Sequence, residues 1–154
     1  MAKTDDKGLE TLHVWQRALA FTVKVCRQVL PLLPTQEKWS LIDQLRRSVQ
    51  SIPANIAEGY GRYYYQESIR FCYIARGSLE ESFSHITLAY HLNYLSEEVY
   101  KDLETDIQEI RRMLNGYIAF LKTNKRGAAE PGAITQVHEE PQSYHIEDFS
   151  ESEP

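Results

Sequence analysis

An all-α fold, an antiparallel up-down four-helix bundle with a disordered acidic C-terminal tail, is predicted by three features of the sequence. Four long stretches carry apolar side chains at alternating spacings of three and four, the period of an α-helix. The stretches between them are short and hold the prolines, glycines and serine that stop and start helices. Short connections between long helices force neighbours to run antiparallel. After about residue 123 the composition changes: residues 127–154 hold seven of the 22 acids, three of the six prolines and none of the 17 basic residues. The predicted organisation is a flexible N-terminus over 1–8, the bundle over 9–123 and the acidic tail over 124–154.

Helix one is expected from about Leu12 to Leu33, with one stripe through Leu12, Trp15, Leu19, Thr22, Cys26, Val29 and Leu33 and a second through Val14, Ala18, Phe21, Val25 and Leu32. Two apolar faces are more than one bundle neighbour covers. Pro31 and Pro34 close the helix, and Thr35 is the expected N-cap of helix two, with Glu37 near its positive end. Helix two carries Ile42, Leu45, Val49, Ile52 and Ile56 on one stripe. Pro53 lies within that stripe; it removes a donor and crowds the carbonyl four residues earlier, which predicts a kink. Asn55 and Glu58 fall just past it, placed to serve freed backbone groups, and Gly59 and Gly61 are expected to end the helix in left-handed geometry.

Helix three is expected over about Gln66–Leu95, on a stripe of Ile69, Cys72, Arg76, Leu79, Phe83, Ile86 and Tyr90. Arg76 in that stripe either lays its stem on the core with its head at the rim, or is buried against Glu58 or Glu80. Gly77 in mid-helix weakens an isolated helix by about 1 kcal/mol against alanine, so its expected use is close approach of another helix, within or between subunits. Ser96 caps helix four with Glu97 and Glu98 in the first turn. Tyr100, Leu103, Ile107, Ile110, Leu114, Tyr117 and Leu121 then hold the cleanest amphipathic rhythm in the chain.

Met1–Gly8 is polar, unlike a secretory signal, and no apolar run approaches the ~20 residues that span a bilayer. Cys26 and Cys72 each sit in an apolar helical pattern and read as buried hydrophobes of a reducing compartment, so the expected location is cytoplasmic. The chain carries a net charge of −5, but residues 1–126 hold 17 basic residues against 15 acids, a net +2. The acidic balance therefore belongs to the tail, which reads as solubilising, or as a competitor in cis for a basic surface on the body.

That surface is the second feature of the chain. From Arg46 to Arg76 there are five arginines, Arg46, Arg47, Arg62, Arg70 and Arg76, against Glu58 and Glu67, with no lysine. Tyr60, Tyr63, Tyr64, Tyr65 and Tyr73 are interleaved with them. Such a stretch is either a solvated face beside a tyrosine-rich turn, or a surface for phosphate and bases, which arginine forks and tyrosine rings suit. Arg46, Arg47, Arg62, Arg70, Tyr60 and Tyr63 are the candidate nucleic-acid-binding residues. No catalytic residues, metal ligands, cofactor or small-molecule substrate are expected. Glu81 and His85 lie four apart, whereas carboxylate-bridged di-metal bundles need Glu-x-x-His pairs and inward acids from every helix. His85 and His91 face differently, His138 and His145 belong to the tail, and no phosphate loop or nucleophile elbow is present.

The run from Gln44 to Arg62, together with Ile74-Ala75-Arg76-Gly77-Ser78-Leu79, resembles a bacterial four-helix-bundle family. Its first members were described from reading frames inside intervening sequences of 23S ribosomal RNA genes, and it is often labelled S23 ribosomal protein. Leu12-His13-Val14-Trp15-Gln16-Arg17-Ala18, Tyr94-Leu95-Ser96-Glu97-Glu98 and Met113-Leu114-Asn115-Gly116 agree in order, so the resemblance covers roughly Leu9 to Lys122. It implies an up-down bundle assembling as a homopentamer, with Pro53, Asn55, Glu58, Gly59, Gly61, Arg76 and Gly77 as structural motif residues and no established enzyme activity. A distant relative is the accessory protein of diversity-generating retroelements, which binds reverse transcriptase and nucleic acid. The chain departs from the family pattern at Tyr64, where a capping serine is usual, so helix three must start by other means. It departs again at Glu81-Ser82-Phe83-Ser84, where only the first acid of an acidic cluster is kept.

Two functional expectations follow. One is a non-enzymatic oligomeric scaffold that offers the Arg/Tyr surface to RNA or to a nucleic-acid enzyme, a ring multiplying weak contacts. The other is a structural protein–protein interaction module in which the same residues make subunit contacts, since Arg and Tyr are enriched at protein interfaces as well.

Overall fold

The computed structural model describes residues 8–129, in which every regular element is helical. Helices α1 (His13–Lys24), α2 (Leu41–Tyr60), α3 (Tyr65–His91) and α4 (Glu97–Asn124) form the antiparallel up-down bundle. Most of the expected N-terminus and tail, residues 1–7 and 130–154, lies outside the described residues.

Both expected stripes supply the core: Val14, Ala18, Phe21 and Val25 of one are buried, and so are Thr22, Val29 and Leu33 of the other, whereas Leu32 is 50% exposed. Leu19 and Val23 stay about 40% exposed, at 39% and 40%. The regular helix is shorter than expected. After Lys24 the backbone widens into a π turn over Val25–Val29, tightens into a 3-10 turn over Leu30–Leu32 and becomes extended at Leu33. Pro31 supplies no N–H to a regular ladder, so the approach to it leaves α geometry. Nor does Thr35 cap α2. It opens a separate 3-10 turn, Thr35–Glu37, and α2 begins at Leu41. Glu37 instead joins the two connections at that end of the bundle: it accepts hydrogen bonds from Ser40 and from the Tyr94 hydroxyl at 3.0 Å. Those bonds, from Ser40 and then Tyr94, hold its carboxyl below the usual range.

α2 runs through Pro53 as one continuous helix. Proline leaves the carbonyl of Val49 without its ladder donor. The Thr22 hydroxyl of α1 stands 2.8 Å from that oxygen and 3.0 Å from the Ala18 carbonyl, which already sits in the α1 ladder. Its one proton therefore serves Val49, and α1 repairs the gap in α2. Asn55 and Glu58 have other partners: the Asn55 amide donates to the Ser51 carbonyl at 2.8 Å, and Glu58 pairs with Arg62 at 2.7 Å. Thr22→Val, nearly isosteric, should cost about 1–3 kcal/mol because it orphans a buried carbonyl. In a Pro53→Ala background, which restores an N–H at position 53, the same change should cost clearly less. Urea midpoints of the four proteins measure this, and equal costs in both backgrounds would remove the account.

α2 and α3 approach closely because small residues line both. Ser48 and Ser82 hydroxyls meet at 2.9 Å and those of Ser51 and Ser78 at 2.8 Å, all buried or half-buried. Gly59 belongs to this contact and not to a left-handed cap. It is buried inside α2, and a Cβ there would lie 2.9 Å from the Ser68 carbonyl oxygen. Gly61 follows α2 with φ −73°, so neither glycine uses a positive φ. Among the described residues Gly77 has no such neighbour: a Cβ there would meet no atom within 4 Å.

α3 begins at Tyr65 without a side-chain cap, and the carbonyl of Arg126 accepts the Tyr65 N–H at 3.0 Å. That carbonyl arrives because Lys125 (φ 47°) and Gly127 (φ 80°) turn the chain back after α4. α3 stops at His91, earlier than expected, where Asn93 (φ 61°) takes the left-handed position and the Tyr94 N–H reaches the Ala89 carbonyl. Ser96 caps α4 as expected, its hydroxyl accepting the Val99 N–H at 3.2 Å. Between α1 and α4, Asp106 takes Arg17 on one carboxylate oxygen and Lys24 on the other, at 2.5 and 2.6 Å. Glu109 and Asp102 add a second carboxylate to each cation.

Candidate nucleic-acid interface

The six candidate binding residues are all exposed, but the fold divides them. Arg46 and Arg47 lie in the first half of α2, and Arg47 is paired with Asp43 one turn earlier at 3.1 Å. Arg62 follows the end of α2, about 20 Å further along at 1.5 Å per residue. It pairs with Glu58 and lies 5.1 Å from the centre of the Phe71 ring. Tyr60 and Tyr63 flank Arg62, and Arg70 is exposed in the second turn of α3. Sequence spacing alone suggested one patch. The structure gives a cluster at the α2–α3 turn and a separate arginine pair up the helix.

The turn cluster has a second wall that the sequence reading missed. The end of α4 and the turn after it bring Tyr117, Phe120, Asn124 and Arg126 opposite Tyr60, Arg62 and Tyr63, across a cleft of about 390 Å³. Tyr117 and Phe120 present nearly parallel rings, 6.4 Å apart with planes 16° from parallel, and Phe120 is 59% exposed. Arg126 lies over Tyr63 with its guanidinium carbon 4.7 Å from the ring centre. Burial, with the nearby Cys72 and Tyr60, pushes the Tyr117 phenol up to about 12, so at neutral pH it keeps its proton. A signal for this wall was present in the sequence: from Glu109 to Glu130 there is no acid between, but five bases, Arg111, Arg112, Lys122, Lys125 and Arg126.

Arg76 takes the rim arrangement. Half-buried, it lies 4.8 Å over the Tyr73 ring and donates to the Asn115 side-chain oxygen at 3.1 Å. Its two expected carboxylates are engaged elsewhere, Glu80 by Arg111 and Glu58 by Arg62. Lys122 approaches the same Tyr73 ring at 5.9 Å, so cations continue along this face of α3 and α4. Glu81 and His85 meet at 3.3 Å as a pair within one helix, and among the described residues no group of three or more His, Cys, Asp or Glu could hold a metal ion. Cys72 is buried, and that burial pushes its thiol up to about 12; Cys26 is half-buried and unbridged. No helix of the described residues is long and apolar enough to cross a membrane.

Residues 10–116 match the family described as 23S rRNA-intervening sequence protein. Among solved structures, the chain is similar to a protein of unknown function from the S23 ribosomal protein family of Bacteroides thetaiotaomicron VPI-5482. Identity is 26% and the TM-score 0.63, over 68% of this chain and 97% of that one. No curated protein matches the sequence.

Proposed function

Since the chain belongs to the 23S rRNA-intervening sequence protein family, we propose that it is a non-enzymatic scaffold, a homopentamer, which binds RNA or a nucleic-acid-associated protein through its Arg/Tyr surface. The observation that carries this reading is the convergence of Tyr60, Arg62 and Tyr63 with Arg126 at one end of the bundle. Arginine supplies forked donors for phosphate, tyrosine supplies stacking faces, and both kinds of group stand at one place. A body charge of +2 is modest, and five copies would multiply it. Exposed apolar side chains on α1 and α3, Leu19, Val23, Ile74 and Leu88, provide surface for subunit contacts.

Those same apolar side chains favour a second reading, a protein-interaction module without nucleic acid. Light scattering behind a sizing column, with and without a mixed structured RNA, separates the two. The scaffold reading expects a mass near five chains and RNA co-elution that fades between about 50 and 200 mM salt. Reversing Arg46, Arg47 and Arg62 to Glu should abolish that co-elution. A pentamer indifferent to RNA at low salt would favour the interaction module, and a monomer would overturn both oligomeric readings.

A further inference from the structure

We infer that the cleft between the α2–α3 turn and the end of α4 is a pocket for an unpaired RNA nucleotide, its base on the Tyr117–Phe120 rings and its phosphate on Arg126. The inference rests on the RNA reading above and narrows it to one site and one form of RNA. It also reaches beyond the family match, which ends at residue 116, just before Tyr117, Phe120, Asn124 and Arg126.

Size, surface chemistry and charge all point to this ligand. A cleft of about 390 Å³ lies within the range of small-ligand pockets. It is concave and walled by aromatic rings, so it suits one splayed base, whereas a duplex keeps its bases stacked inside a cylinder and presents only its backbone. Phe120, a large ring left 59% exposed on the rim, is a stacking platform of the kind that binds bases whatever their identity. The neutral Tyr117 phenol and the Asn124 amide supply both donors and acceptors for a base edge or a ribose hydroxyl. Arg126 is held over the Tyr63 ring, its central carbon 4.7 Å from the ring centre, and its N–H fork suits phosphate oxygens. Arg62 can contribute as well, although it shares its charge with Glu58. The stretch that supplies the second wall holds no acid after Glu109 until Glu130.

The test is fluorescence anisotropy of the full chain with a labelled single-stranded RNA of roughly 12 nucleotides and with a duplex RNA of the same length. The single strand should bind at least about tenfold more tightly than the duplex, and Phe120→Ala should weaken single-strand binding by about tenfold while Phe120→Trp retains it. Arg126→Glu should weaken it too and lower the salt slope by about one. Phe120 is exposed, so its variants are expected to keep the helical circular dichroism of the parent. If Phe120→Ala and Arg126→Glu bind as the parent does while reversal of Arg46 and Arg47 abolishes binding, the pocket is overturned and the wider RNA surface stands. If neither RNA binds at low salt, both are overturned.

Discussion

Phe21→Ala is expected to lower the unfolding free energy by about 3–5 kcal/mol, the cost of deleting a fully buried aromatic side chain and leaving a cavity. Phe21 is completely shielded from solvent, between Ala18 and Val25 in the core. α1 has little in reserve. Its regular part is 12 residues long, it is followed by π and 3-10 turns, and two of its apolar side chains, Leu19 and Val23, face outward. For a domain whose total stability is of order 5–15 kcal/mol, such a loss is a large share, and it should lower Tm by about 10–20 °C. Leu19→Ala, on the same helix but 39% exposed, is the control and should cost less than about 1 kcal/mol in the monomer. Thermal or urea unfolding of the two variants decides it. Equal losses would mean that the helix is not seated on the face assigned to it.

Asp106→Leu should cost about 3 kcal/mol at neutral pH and should also flatten the acid limb of the stability profile. Asp106 is a nearly buried carboxylate, with only 11% of its side chain exposed, bridging Arg17 and Lys24. Removing the acid leaves two partly buried cations short of a partner; losing one member of a buried pair typically costs about 3–5 kcal/mol. The lower end applies because Glu109 and Asp102 remain to hold Arg17 and Lys24. Burial alone would raise the Asp106 carboxyl, but hydrogen bonds and attraction from Lys24 and Arg17 outweigh it, and the net direction is down from 3.8. A carboxylate lowered in the folded state contributes stability above its unfolded pKa and loses that contribution as the pH falls through the folded one. The parent should therefore lose stability as the pH drops through 3.8 and below. The variant should lose less over the same interval. Urea midpoints between neutral pH and about pH 2 provide the comparison. Acid limbs of the same steepness would show that the bridge contributes nothing to folding.

Features encoded within one or two turns of the chain were legible in the sequence. The three-four rhythm of Leu103, Ile107, Ile110 and Leu114 requires only the period of a helix, and those four side chains are buried in the bundle as expected. The Ser96 cap lies three residues from the N–H it accepts. Where the local signal was ambiguous, packing chose between alternatives, as for the rim position of Arg76. Gly59 shows how a correct residue was given the wrong reason. Its lack of a side chain is required by Ser68 across the α2–α3 contact, not by its own backbone angle.

The candidate site divides along the same line. Tyr60, Arg62 and Tyr63 stand within four residues, so their clustering could be read directly, but the opposite wall comes from the end of α4. The Tyr65 N–H meets the Arg126 carbonyl 61 positions later, and the Thr22 hydroxyl meets the Val49 carbonyl 27 positions later. Local chemistry settled where helices form, because backbone hydrogen bonding and apolar period act over four residues at a time. Which orphaned carbonyl finds a donor, which arginine finds an acid and which rings face each other across the cleft were settled only when antiparallel packing brought distant residues together. These are pairwise contacts between side chains and backbone groups far apart in the chain, and no periodicity records them.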